Sequence, residues 1–474
     1  MNFALDSGTR RRLGYKLIDA IDDYFSSLPT RPVQLPADQR TFGELTDAIP
    51  ELGADAERVL DDMTREMIDK GFHVPSANYF GLMNPTPTYM AVLAEALVAA
   101  INPQLATMAR SQLASKIEHQ TVRWIAERCG YTKNAGGTFT SGGNEANFSG
   151  IALALAAHFP DAIENGIGSI GARPVMYASA ESHHSIDKSG GLLGVGRNAV
   201  RRVPIDNHLH MRVDALEKMI DHDLAAGQRP FCVVATAGTT NSGAVDDLEA
   251  IADLCARRHL WLHVDGAYGA SAVFSDKHRD LVRGIERADS ITIDPHKWLA
   301  MPFAAGVIIT RRAETLRAAF EVATPYMPRD ASANLVDNFK ISTQWSRKMN
   351  ALKLWVTLRV HGRQAYEEHI DRQLRLARSF ADWIRKSEDY ELVVKPDLTI
   401  VNFRAKNAGD EQATAGANQA VVEAVTRDGT RWISETRVAG RSVIRMMVIS
   451  YLTDESHLKG LQDALTAAAK SLRA

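Results

Sequence analysis

The sequence predicts an α/β protein: a large domain on a mostly parallel sheet, a helical arm before it and a small C-terminal α+β domain after it. Two observations carry that expectation. From about residue 87 to 355, short apolar runs alternate with helical patterns, as strands joined by covering helices do. The same stretch holds the clustered polar motifs of the chain, each just after an apolar run or at the opening of a helix, where parallel sheets present ligand-facing groups.

Residues 1–86 read as an arm rather than a free domain. A polar helical start leads into Arg31-Pro32-Val33-Gln34-Leu35-Pro36, and a helical pattern follows over residues 57–70. Its apolar helical faces need another surface to bury them. Within residues 87–355, Pro174-Val175-Met176-Tyr177-Ala178, Phe231-Cys232-Val233-Val234-Ala235 and Trp261-Leu262-His263-Val264 predict buried strands. Residues 356–474 read as the small domain, with strand candidates at 391–394, 399–403 and 442–449 and a terminal helix from Glu455.

With 474 residues, 45% hydrophobic and 24% charged, the chain is composed like a soluble globular protein large enough for more than one structural unit. A net charge of −2, with no basic patch or RNP-like motif, argues against a nucleic-acid partner. The N-terminal segment lacks the apolar core of a signal peptide, and the most apolar stretch, residues 90–101, is broken by Glu95 and too short to span a bilayer. A cytoplasmic protein with no membrane association is expected. Cys129, Cys232 and Cys255 are scattered, which suits a reducing compartment, and without a CxxC or HExxH pattern no metal site is expected.

The chemistry starts from Lys297, in Asp294-Pro295-His296-Lys297-Trp298, and Asp265, which ends the run Trp261-Leu262-His263-Val264. A lysine that forms a Schiff base with an aldehyde must be neutral to attack, so it needs a partly desolvated pocket. A carboxylate that keeps a pyridine nitrogen protonated must stay charged. Those two groups are what pyridoxal 5'-phosphate (PLP) chemistry requires of a protein, because the pyridinium accepts the electron pair left at Cα.

Further motifs fit the same cofactor. Ser141-Gly142-Gly143-Asn144 opens an alanine-rich helix, and its free N–H groups and positive dipole end make a site for phosphate. Ser182-His183-His184-Ser185 follows a strand and offers an imidazole face for a pyridine ring and hydroxyls for phosphate. Ala237-Gly238-Thr239-Thr240 ends another strand in a turn, whose hydroxyls contact ring substituents or cap the turn.

Taken in order, these four motifs, with His263-Val264-Asp265-Gly266-Ala267-Tyr268 and Leu352-Lys353-Leu354-Trp355, make the chain resemble the group II PLP-dependent amino-acid decarboxylases, closest in pattern to the aromatic L-amino-acid branch. The resemblance runs from about Tyr79 to Trp432-Ile433-Ser434 and Arg445-Met446-Met447-Val448. It implies the PLP-dependent transferase fold of type I, working as a homodimer whose active sites are shared and whose arm wraps the partner. Lys297 then matches the Schiff-base lysine, Asp265 the partner of the pyridine nitrogen, His183 the ring-stacking histidine, and Gly142, Gly143 and Asn144 the phosphate loop. Ala267 matches the small residue under the ring, Thr240 a cofactor-contacting threonine, and His296 a histidine near substrate carboxylate and cofactor. Asp294 departs from the asparagine of the animal aromatic enzymes, and a carboxylate there repels phosphate unless water or a cation intervenes.

The polar stretch 323–334 reads as a long loop of the kind that serves as a lid. Its Tyr326 resembles the family tyrosine that reprotonates Cα after CO2 leaves; relatives with phenylalanine there yield an aldehyde. The expected activity is decarboxylation of an L-amino acid, an aromatic one first, to the amine. Val74, Leu82 and Met83 stand where the aromatic enzymes build their side-chain pocket, which predicts an aliphatic, adaptable surface. The alternatives are an acidic substrate (glutamate, aspartate or cysteine sulfinate) held by Arg347 or Arg329, or aldehyde synthase or aminotransferase chemistry.

Overall fold

The computed structural model describes residues 3–36, 39, 49–323 and 336–473. Seven strands form one sheet: β1 (Gly136–Thr140), β2 (Pro174–Ser179), β3 (Val200–Val203), β4 (Arg229–Thr236), β5 (Trp261–Asp265), β6 (Ser290–Ile293) and β7 (Gly306–Thr310), in the order β1-β7-β6-β5-β4-β2-β3. Pairing is parallel from β3 through β2, β4 and β5 to β6, and β7 runs antiparallel to both β6 and β1. Every residue of β2, β5 and β6 is buried, so both faces of these strands are covered, as in a parallel sheet packed by helices. The register pairs Thr236 with Asp265 and Asp265 with Thr292, so three strands finish together and their following loops share one edge.

The helix Gly143–His158 lies across this sheet and buries its alanine-rich body against β4 to β7. Small residues allow a close approach. A Cβ added at Gly150 would stand 2.3 Å from the His263 ring on β5, so the helix backbone rests directly on that imidazole.

A second, antiparallel sheet takes β8 (Tyr390–Leu392), β9 (Ile400–Ala405), β10 (Ser434–Val438) and β11 (Arg441–Met447) in the order β10-β11-β9-β8. The helices Glu411–Thr426 and Glu455–Arg473 and the later part of Ala351–Lys386 enclose a core of Phe380, Tyr390, Phe403, Leu461 and Leu465. The long helix breaks at Gly362, whose φ of 75° and ψ of 171° are not helical. β10 is a strand the sequence pattern does not announce: Ser434-Glu435-Thr436-Arg437-Val438 is a polar edge, of the kind that discourages pairing with another chain.

The arm holds the helices Ser7–Ser27 and Ala56–Asp69, each N-capped by an aspartate (Asp6, Asp55), and neither buries a residue within this chain. Its later residues lock onto the small domain. Tyr79 stacks on Trp432 with ring centroids 5.4 Å apart, the Thr86 and Ser450 hydroxyls meet at 2.7 Å, and Arg445 donates to the carbonyls of Gly81 and Thr240. That arginine ties the arm, the small domain and the loop after β4 together. Among the described residues no helix is long and apolar enough to cross a membrane.

Candidate active site

The loops after β1, β4, β5 and β6 surround a cavity of about 350 Å³. Lys297, Asp265, His183, His296, Thr240, Ala267, Gly142, Gly143 and Asn144 all line it. Residues from five separate motifs therefore converge because strand ends and one helix start share an edge of the sheet. Tyr326 and Arg329 lie outside the described residues.

At one side, β1 ends at Thr140 and the chain turns through Ser141 and Gly142 into the helix at Gly143. Gly142 has φ 151°, a backbone that disfavours a side chain. The loop is anchored by Glu145, whose carboxylate accepts the Ser141 N–H and hydroxyl, both at 2.7 Å, and the Gln344 amide at 2.6 Å. A Cβ at Gly143 would sit 2.5 Å from Asp294 Oδ2, so only glycine leaves this end of the helix open. Asp294 Oδ2 lies 3.2 Å from Lys297 Nζ and 3.6 Å from His296 Nε2, while its Oδ1 is buried with no hydrogen-bond partner among the described residues. Burial pushes the Asp294 carboxyl up to about 6, against the pull of Lys297.

Across the cavity, Asp265 is 5% exposed; its Oδ2 accepts the Asn147 amide at 2.9 Å and its Oδ1 the Ala267 N–H at 3.3 Å. The His183 Nδ1 receives the Ser185 N–H at 3.2 Å and faces the Ser185 hydroxyl at 2.9 Å, and burial lowers the histidine despite nearby Asp265. Its neighbour His184 points away, with 95% of its side chain exposed. His296 accepts the Ala305 N–H at Nδ1, 3.0 Å away, which leaves its proton on Nε2, and burial drives it down to about 3. A half-buried amine, a buried carboxylate, a glycine-opened helix start and an orphaned buried carboxyl oxygen fit PLP, with its aldehyde, its ring nitrogen and its phosphate.

Comparison with known proteins agrees. A family model described as the pyridoxal-dependent decarboxylase conserved domain matches residues 36–406. The chain belongs to the pyridoxal-dependent decarboxylases. It is 32% identical to an aromatic-L-amino-acid decarboxylase of Bacillus atrophaeus over 99% of this chain and 98% of the relative. It is 30% identical to an L-2,4-diaminobutyrate decarboxylase of Acinetobacter baumannii over 89% and 85% of the two chains. Among solved structures, Oryza sativa TDC with PLP and tryptamine superposes with a TM-score of 0.92 at 26% identity, covering 100% of both chains. The protein is thus a PLP-dependent amino-acid decarboxylase of fold type I.

Two expectations about this decarboxylase's substrate pocket change. Arg347 does not line the cavity: its side chain is 1% exposed, and it pairs with Glu118 at 2.7 Å and the Phe139 carbonyl at 2.8 Å. A buried carboxylate requires such a partner, so this arginine has a structural task. Of Val74, Leu82 and Met83, only Met83 reaches the cavity, and Leu82 is 47% exposed. Phe303, which sequence reasoning missed, supplies an aromatic wall 4.5 Å from the His296 ring. Asn147 was also missed; the signal available was a polar side chain ahead of the apolar body of its helix.

The depressed His296 makes a stability prediction for the decarboxylase freed of cofactor. Folded His296 stays neutral to about pH 3, whereas the unfolded residue takes up a proton near pH 6.5. Its contribution is therefore complete above pH 6.5 and is lost as pH falls through that window. Replacing His296→Gln should reduce the pH dependence of the unfolding free energy between pH 6.5 and 3 by about 1.4 kcal/mol per pH unit, one proton. Denaturant titrations at several pH values measure it, and an unchanged slope would show the imidazole is protonated in the fold.

Proposed function

We propose that the protein decarboxylates an aromatic L-amino acid to its amine. The observation that carries the choice of substrate is that, among the described residues lining the cavity, Lys297 is the only lysine or arginine, while Met83 and Phe303 give it apolar walls. A substrate with an acidic side chain would leave its carboxylate without a counter-charge there, and such desolvation is costly.

In this reading Lys297 binds the cofactor aldehyde, Asp265 holds the proton on the ring nitrogen, and Gly142, Gly143 and Asn144 receive the phosphate at the helix start. His183 stacks on the ring as a neutral imidazole, Ala267 leaves room beneath it, Thr240 contacts a ring substituent, and His296 faces the substrate carboxylate. Bound PLP supplies an electron-withdrawing ring that stabilises the electron pair left at Cα when the bond to the carboxylate breaks. The Tyr326 hydroxyl then donates a proton to Cα.

Two features support a homodimer with shared sites. The arm helices bury nothing within one chain, and Val59, Met63 and Met67 are 51%, 51% and 70% exposed on one of them. A second copy would cover that face. A cytoplasmic, reducing setting fits three cysteines that are all free and buried.

Light scattering should return about twice the 52.0 kDa chain mass, and a monomer would remove the shared-site reading. A panel of L-amino acids given to PLP-loaded protein should release CO2 and amine from aromatic members. CO2 from acidic members alone would overturn the substrate assignment, and aldehyde with hydrogen peroxide would overturn the role of Tyr326.

A further inference from the structure

We propose that Asn147 is a positioning residue: its single side-chain amide fixes both the Asp265 carboxylate and the tautomer of His183, at the end of a buried, one-way hydrogen-bond chain that begins at Trp261. The proposal rests on the cofactor and not on the choice of substrate.

The polarity of the chain follows from its ends. An indole N–H only donates. Trp261 Nε1 donates to Ser290 Oγ at 2.9 Å, which leaves that hydroxyl's own proton available to His263 Nδ1, 2.8 Å away. His263 then carries its proton on Nε2, which meets Asn147 Oδ1 at 3.1 Å, with the Thr292 hydroxyl at 3.4 Å as a weaker neighbour. The Asn147 amide nitrogen consequently points the other way. Both of its protons are used, one on Asp265 Oδ2 and one on Ser185 Oγ, each at 2.9 Å. Ser185 Oγ, having accepted, donates to His183 Nδ1 at 2.9 Å.

The far end requires the same direction independently. A carboxylate only accepts, so Asn147 must turn its nitrogen, not its oxygen, toward Asp265. The usual ambiguity of an asparagine amide is therefore removed from both sides. The chain from Trp261 to Ser185 is shut away from water: Trp261, Ser290, His263, Asn147 and Ser185 are at most 2% exposed. The His263 ring cannot swing aside, because the backbone of Gly150 lies against it.

For the site this means that one amide orients two ring-facing groups. Asp265 is held by Asn147 and the Ala267 N–H with its charge intact, and His183 Nδ1 is saturated as an acceptor, so its proton is kept on Nε2. The Ser185 backbone N–H donates to the same His183 nitrogen at 3.2 Å and holds the tautomer in the same direction.

Two variants of the PLP-loaded protein test this, with visible absorption of the bound cofactor and its pH titration as readouts beside PLP affinity. Asn147→Leu, similar in volume but without donors, should weaken PLP binding roughly tenfold or more and shift the absorption spectrum. Ser185→Ala keeps the Asn147 contact to Asp265 and removes the hydroxyl from His183 Nδ1, leaving it the backbone N–H, so PLP affinity should stay within about threefold while the pH titration of the spectrum moves. A folded Asn147→Leu protein with unchanged affinity and spectrum would overturn the proposal. If that variant does not fold, Ser185→Ala decides: an unchanged titration overturns it. PLP bound normally by the parent protein without CO2 release from any amino acid would reject the decarboxylation reading and not this one.

Discussion

The structure depends on burying one negative charge. Asp265 ends β5 in the middle of the large sheet, 5% exposed. An isolated carboxylate in such a place is costly, so the surroundings must supply donors without neutralising it. They do so with neutral groups, the Asn147 amide and the Ala267 N–H. The carboxylate therefore remains a strong acceptor that faces the cavity. The close seating of the alanine-rich helix, which brings Asn147 to Asp265 and sets Gly150 on His263, is part of the same arrangement.

A second buried carboxylate has the opposite surroundings. Asp294 is held by a cation, Lys297, and abuts the opening of the glycine loop, and burial raises its carboxyl. The cavity thus contains one carboxylate dressed by dipoles and another balanced by the reactive amine.

Much of this was legible in the sequence because motif residues sit at strand ends, and parallel strands that finish together must bring their ends together. β2, β4 and β5 announce themselves as apolar runs, and Asp265, His183 and Thr240 follow from what comes after them. What was not legible depends on burial across long sequence distances. Arg347 looks like a free cation until Glu118, far away in sequence, is seen against it. Asn147 looks like a solvated residue of a helix until that helix is laid on β5. The polar edge of β10 pairs with β11 although its composition resembles a loop. In each case a tertiary partner, and not local propensity, sets the outcome.

The central claim is that the charge of Asp265, kept intact by neutral donors, drives bond breaking at Cα. Asp265→Asn preserves shape and removes that charge. The most direct measurement is single-turnover CO2 release by PLP-loaded Asp265→Asn protein, alongside the absorption of its bound cofactor. The cofactor should remain attached through Lys297 while release slows by on the order of a thousandfold, about 4 kcal/mol of barrier. Release within about tenfold of the parent rate would contradict the account.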